Sequence, residues 1–274
     1  MNRDENERKI DEKALAERGE RAARALTAAG CVSGRGEARR IRGLVSALAG
    51  ARRGARGEAG EWLCDNMYLI EREGLAAAAD FAAAKRVPAG RAHSLVCEAA
   101  RELCAAVNGR VTPEAAGAFL DGFRRVRALS LTELNLLAAA LRAGLTELLA
   151  ELYSGEAPDA AEAAAAINSL RRLATEDLSG LVRRADAAGA VLGRDPAGAY
   201  PLMDERTTAL YRARLAKIAA REGLSEPECA RRVLELAANT TYVNVKLHRK
   251  KPHHHFLVNS NTTYVNVKLC RFFY

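Results

Sequence analysis

The sequence predicts an all-α protein, a multi-helix bundle with a flexible N-terminal arm and a short β-prone or disordered C-terminal tail. Three observations carry that expectation. The chain is 49% hydrophobic but only 5% aromatic, with Ala and Leu dominant, and Ala, Leu, Arg and Glu lose little side-chain freedom in a helix. Apolar residues recur at three- and four-residue intervals, most plainly at Leu134, Leu137, Ala138, Leu141, Leu145, Leu148, Leu149 and Leu152. Helix-start signals recur as well: Thr112-Pro113-Glu114 reads as N-cap, first-turn proline and dipole-favoured acid, and Ser130 with Glu133 and Ser225 with Glu228 read as capping boxes.

Three segments follow from this reading. Residues 1–57 form a charged helical arm, from 3 to about 29, followed by a Gly/Arg-rich stretch. That stretch runs from Gly34 to Gly60; part of it is open to a helical reading, but its glycines at 34, 36, 43, 50, 54 and 57 favour a loose linker, and it carries Arg35, Arg39, Arg40, Arg42, Arg52, Arg53 and Arg56. Residues 58–238 form the bundle. Its first helix spans Glu61–Arg86, with Gly74 as a candidate break and Leu63, Met67 and Ile70 on one face. Helices then cover Ala92–Val107, 113 to about 126, and Ser130–Tyr153, the last with Asn135, Arg142 and Thr146 on the side away from its leucine stripe. Pro158 opens a helix through Ile167, Leu170 and Leu173, and another runs Leu178–Leu192. A turn-rich connector, Gly193-Arg194-Asp195-Pro196-Ala197-Gly198, leads to helices over Met203–Arg221 and Glu228–Ala237.

Residues 239–274 change character. Asn239-Thr-Thr-Tyr-Val-Asn-Val-Lys-Leu247 recurs identically at 261–269, with the Thr/Tyr/Val alternation of short strands. A perfect nine-residue repeat is too short for a solenoid. Its preferred explanation is genetic: a reading-frame change or junction after about Ala238 that appends unrelated, β-prone text.

The formal net charge of +8 points first to nucleic acid, but its position matters. Lys246, Arg249, Lys250, Lys251, Lys268 and Arg271 all lie in the tail, and without these six, 36 basic residues face 34 acidic ones. A nearly neutral body argues against a dedicated, specific nucleic-acid surface. The charged N-terminus is no signal peptide, and no run approaches the roughly 18 apolar residues of a membrane span. The chain reads as soluble and cytoplasmic. Cys31, Cys64, Cys97, Cys104, Cys229 and Cys270 form no C-x-x-C pair, and most read as small buried hydrophobes of a reducing compartment.

No catalytic constellation stands out. There is no phosphate-binding glycine loop, nucleophile elbow or zinc-protease motif. The carboxylates are scattered, Glu147 and Glu151 reading as a solvated helix face, and no pair of them marks a glycosidase-like site. His93 stands alone, while His248, His253, His254 and His255 sit in the tail without carboxylate partners, so neither a metal nor a cofactor is expected. Two polar spots remain: Trp62, Asp65, Asn66 and Tyr68 within an apolar helix, and Asp195, Tyr200, Asp204, Tyr211 and Arg212 around the connector. Buried polar groups need partners, so both read as structural or interface positions that join helix to helix.

The same two spots carry a resemblance. Glu61-Trp-Leu-Cys-Asp-Asn-Met-Tyr-Leu-Ile70 resembles the W-L-x-D-N-x-Y-x-I element near the start of cyclic β-1,2-glucan synthases. Ser130-Leu-Thr-Glu-Leu134 with Leu141-Arg142 resembles their L-x-x-x-E-L … L-R segment, and Ile167-Asn-Ser-Leu-Arg171 fits as well. Asp195-Pro-Ala-Gly-Ala-Tyr200, Met203-Asp204, Thr207 and Tyr211-Arg212 are similar to D-P-x-G-x-Y-x-x-M-D-F-x-T-R-D-x-Y-R, continued by Leu224-Ser-Glu226 and Ala230. Glu205, Thr208 and Ala209 depart from that pattern, and the likeness covers roughly residues 58 to 238. It implies a large inner-membrane enzyme that polymerises glucose from UDP-glucose, of which this stretch is a helical region outside the transferase and phosphorylase-like modules.

The expectation is therefore a truncated, non-catalytic scaffold whose partners are the synthase and membrane domains of the parent, with self-association through exposed apolar helix faces. The rivals are a free-standing helical interaction adaptor and a non-specific nucleic-acid binder acting through Arg35 to Arg56 and the tail.

Overall fold

A computed structural model describes residues 11–26, 30–90 and 93–248, the last ten of these as backbone only. The all-α expectation holds: twelve α-helices, one 3-10 turn and a single two-stranded sheet make up the described residues. Tail residues His253, His254, His255 and Cys270 and the second copy of the nonapeptide lie outside them. The chain divides into two compact units, Met1–Ala185 and Asp186–Tyr274.

The first unit begins with α1 (Glu12–Ala25), β1 (Gly30–Ser33), α2 (Gly34–Ala51) and α3 (Gly57–Ala83). It continues through β2 (Arg86–Ala89), α4 (Leu95–Ala106), α5 (Pro113–Val126), α6 (Leu131–Asn135), α7 (Leu137–Leu152), α8 (Ala160–Leu173) and α9 (Ser179–Ala185).

Residues 12–25, expected as part of a mobile arm, are a docked helix. Asp11 caps α1 by accepting the Ala14 N–H at 3.0 Å. Leu15, Gly19, Ala22 and Ala23, spaced by three and four, are buried against α5. A Cβ at Gly19 would collide with the Phe119 carbonyl oxygen, and one at Gly122 with that of Ala16. The two helices therefore touch backbone to backbone, which only glycine at both positions allows.

The loose-linker reading is corrected for Gly34–Ala51, which is helix, while 52–56 do join two helices as turn and loop. Ser33 caps α2 through the Gly36 N–H at 3.0 Å, and Ala38, Ile41, Val45 and Leu48 form a buried stripe. Burying such a stripe stabilises by roughly 1.5–3 kcal/mol per large side chain, more than the cost of about 1 kcal/mol for each helical glycine. The arginines at 35, 39 and 42 occupy the exposed face. In α3 the candidate break at Gly74 does not occur, because Gly74 serves packing: a Cβ there would stand 2.5 Å from Val45 Cγ2.

The antiparallel pairing of β1 with β2, in register at Val32 and Val87, was not legible in the sequence. The predicted helix Ser130–Tyr153 is interrupted at Leu136, whose φ of −97° and ψ of 1° separate α6 from α7. The capping box is present: Glu133 accepts the Ser130 N–H at 2.9 Å and Ser130 Oγ accepts the Glu133 N–H at 3.4 Å. Helices α2, α3, α4 and α8 all pack on α7. Of its predicted stripe Leu137, Leu141, Leu145, Leu148 and Leu149 are buried and Ala138 and Leu152 half-buried, and Ala139, Ala140, Ala143, Gly144 and Thr146 are buried too. Thr146, placed by its spacing on the open side, is fully buried and donates its hydroxyl to the Arg142 carbonyl at 2.8 Å.

The second unit comprises α10 (Ala187–Leu192), a 3-10 turn at Tyr200–Leu202, α11 (Glu205–Glu222) and α12 (Glu226–His248). Ala188, Leu192, Tyr200, Tyr211, Leu215, Ala219, Cys229, Ala230 and Val233 form its core. The unit boundary falls inside the predicted helix Leu178–Leu192 and within the predicted bundle 58–238. Asp186 causes the interruption: its carboxylate accepts the Gly189 N–H at 2.9 Å and starts a new helix. The backbone of α12 runs as helix through the first nonapeptide, where strand was the local preference.

Candidate functional site

The first polar spot lies on α3. Trp62 packs half-buried against the core. Asn66 donates to the Trp62 carbonyl at 2.9 Å and accepts from Arg171 Nη2 of α8 at 2.7 Å, tying the two helices together. Asp65 is exposed, and so is Tyr68, with the Arg72 guanidinium 6.0 Å from its ring centre. These four residues share a helix without converging on a common cleft.

The second spot is more tightly built. Asp195 is buried, and its carboxylate accepts three backbone N–H groups, from Ala197 and Ala199 at 3.0 Å and from Tyr200 at 3.2 Å. It holds the connector in one turn, in which Gly198 takes φ 64°. Asp204 caps α11 through the Thr207 N–H and hydroxyl, both at 2.8 Å. The backbone hydrogen bond from Thr207 first, then its hydroxyl, lower the Asp204 carboxyl below its ordinary value. Tyr200 and Tyr211 are core residues, and burial raises the Tyr200 phenol above its ordinary value.

Arg212, only 4% exposed, is the centre of this cluster. Its Nε and Nη2 meet the two oxygens of Asp186 at 3.1 and 2.8 Å, and Nη2 also reaches Glu226 Oε2 at 3.1 Å. A planar fork between two carboxylates suits arginine and no other side chain. One guanidinium thus joins the start of α10, the middle of α11 and the start of α12. Asp186 was missed in the sequence because its partner lies 26 residues away.

A further network was not foreseen. Glu37, almost fully buried in α2, accepts from Arg40 Nε at 2.5 Å and from the Ser94 N–H at 3.0 Å. Arg40 also donates to Glu147 of α7 at 2.8 Å. Glu147, expected on a solvated face, is therefore largely buried in an ion-pair network, and only Glu151 is exposed. Cys97 adjoins this network; burial, then the charge of Glu37, push its thiol up to about 12. At that value the thiolate is scarce near neutrality and nucleophilic chemistry is suppressed.

A groove of about 1170 Å³ opens between α1, the segment after α4 and α8. Arg18, Arg21, Arg110 and Arg172 line it, and among the described residues Asp11 is the only carboxylate that does. The described residues that line it supply no pair of acids for proton transfer to and from a glycosidic oxygen. Among the described residues no group of three His, Cys, Asp or Glu is placed to hold a metal ion. No helix there is long and apolar enough to cross a membrane. No family model matches the chain, and neither a curated protein nor a solved structure matches it.

Proposed function

We propose that residues 58–238 act as a non-catalytic helical scaffold, the counterpart of the N-terminal helical region of cyclic β-1,2-glucan synthases, on the cytoplasmic face of the membrane that holds the parent enzyme. One observation carries this reading. Apart from the exposed Asp65 and Tyr68, most polar residues that carry the resemblance are engaged inside the chain: Asn66 bridges two helices, Glu133 closes a capping box, Asp195 and Asp204 hold backbone, and Arg212 is locked between Asp186 and Glu226. Groups so committed hold helices and turns together, which is the work of a support.

The test is complementation. A cyclic β-1,2-glucan synthase deleted for the region corresponding to 58–238 is co-expressed with this chain, and glucan is quantified. Restored product, with no product from the purified chain and UDP-glucose alone, is the expected result. Product from the chain alone overturns the non-catalytic reading, and failure to restore synthesis by a chain that accumulates folded overturns the scaffold reading.

A further inference from the structure

Helix α11 carries an outward face that the fold does not use. Arg206, Leu210, Arg214, Lys217 and Arg221 follow one another at steps of four, four, three and four residues, which at 3.6 residues per turn places all five within an arc of about 80°. All five are exposed. Leu210 is 60% exposed, and Leu202, in the turn just before the helix cap, is 79% exposed. Tyr211, Arg212, Leu215 and Ala219 supply the buried side of the same helix. The two acids of α11, Glu205 and Glu222, lie outside the arc. Arg221 pairs with its neighbour Glu222 at 3.0 Å. Among the described residues no carboxylate forms an ion pair with Arg206, Arg214 or Lys217. Arg206 sits in the first turn, where a cation opposes the helix dipole. Neither the charge nor the exposed leucines contribute to the core of this unit.

We infer that this face is a docking surface for an anionic phospholipid bilayer. Cations on long side chains settle among phosphate headgroups, and leucines beside them reach the acyl boundary, so the two otherwise unexplained features have one common use. A nucleic-acid strand matches the charge but not the leucines, and the arc has no aromatic ring on which a base could stack. The inference rests on the second unit alone and does not depend on the family reading.

Vesicle co-sedimentation of the full chain tests it. Vesicles containing about one-third phosphatidylglycerol are compared with pure phosphatidylcholine, and a labelled random DNA duplex is run in parallel. A surface cation strengthens binding to an anionic bilayer about fivefold, so Arg206→Gln, Arg214→Gln and Lys217→Gln together weaken binding to the anionic vesicles roughly 100-fold. The equally charge-reduced control Arg35→Gln, Arg39→Gln and Arg42→Gln, on the exposed face of α2, leaves it nearly unchanged. Leu202→Ser with Leu210→Ser weakens vesicle binding and spares DNA binding. All these positions are exposed, so helicity and melting temperature are unchanged and serve as the folding check. Equal loss in the α2 control, equal binding to both vesicles, or loss of duplex binding alone in the α11 variant overturns the inference.

Discussion

Gly19 and Gly122 lie at one helix contact, each with the backbone of the opposite helix where its own side chain would be. Alanine at either must push α1 from α5, and overpacking of this kind costs about 1–3 kcal/mol. Gly43, by contrast, is exposed on α2 with nothing within 4 Å of an added Cβ, so Gly43→Ala stabilises by roughly 0.5–1 kcal/mol. Trp62 is the only tryptophan and lies in the first unit. Its fluorescence during urea unfolding measures both changes; a Gly122→Ala protein as stable as the parent would refute the close contact.

Arg212 neutralises two carboxylates in the core of the second unit, and removing one partner from a buried ion pair leaves the others uncompensated. Arg212→Met is expected to accelerate amide hydrogen exchange in α11 and α12 about 100-fold, equivalent to a loss on the order of 3 kcal/mol. Adding Asp186→Asn and Glu226→Gln recovers part of that protection, because no charge is then left unpaired. No recovery in the triple variant would show that arginine packing, not charge, is what matters.

The cysteines divide by burial. Cys31 and Cys64 are exposed, whereas Cys97 and Cys104 are buried. Burial raises the Cys97 and Cys104 thiols, Cys97 to about 12, and that of the buried Cys229 as well. Mass-spectrometric mapping after alkylation at pH 8 should find Cys31 and Cys64 modified and Cys97 and Cys104 unmodified until denaturant is added. Raising the pH to 10 should not change that division, since Cys97 is still mostly protonated two units below its titration point.

Asp204 caps α11 as a carboxylate with its titration lowered by the Thr207 N–H and hydroxyl. A depressed folded value means that its contribution is fully present above the unfolded carboxyl value of about 3.9 and is lost as pH falls through the lower folded value. Acid melting of the second unit should therefore shift in Asp204→Asn, which keeps a capping side chain but cannot titrate. Asp204→Ala should weaken the start of α11 at every pH. Circular dichroism between pH 2 and 7 follows both, and identical acid transitions in all three proteins would rule out the cap as a titrating contributor.

Helix content and most helix positions followed from local chemistry alone. The spacing of Leu134 to Leu152, the Thr112-Pro113 start and the Ser130–Glu133 box report on residues within one or two turns, where capping and periodicity act. The sequence likewise marked Asp195, Asp204 and Arg212 as residues needing partners. Tertiary structure decided who those partners are. Arg212 meets Asp186 and Glu226, Glu147 meets Arg40, and Gly74, which looked like a break, marks a close helix contact, as do Gly19 and Gly122. These pairings span from fourteen to more than a hundred residues, and no local pattern specifies such distances. They are chosen when apolar stripes are buried together and every polar group taken inside must find the nearest complement.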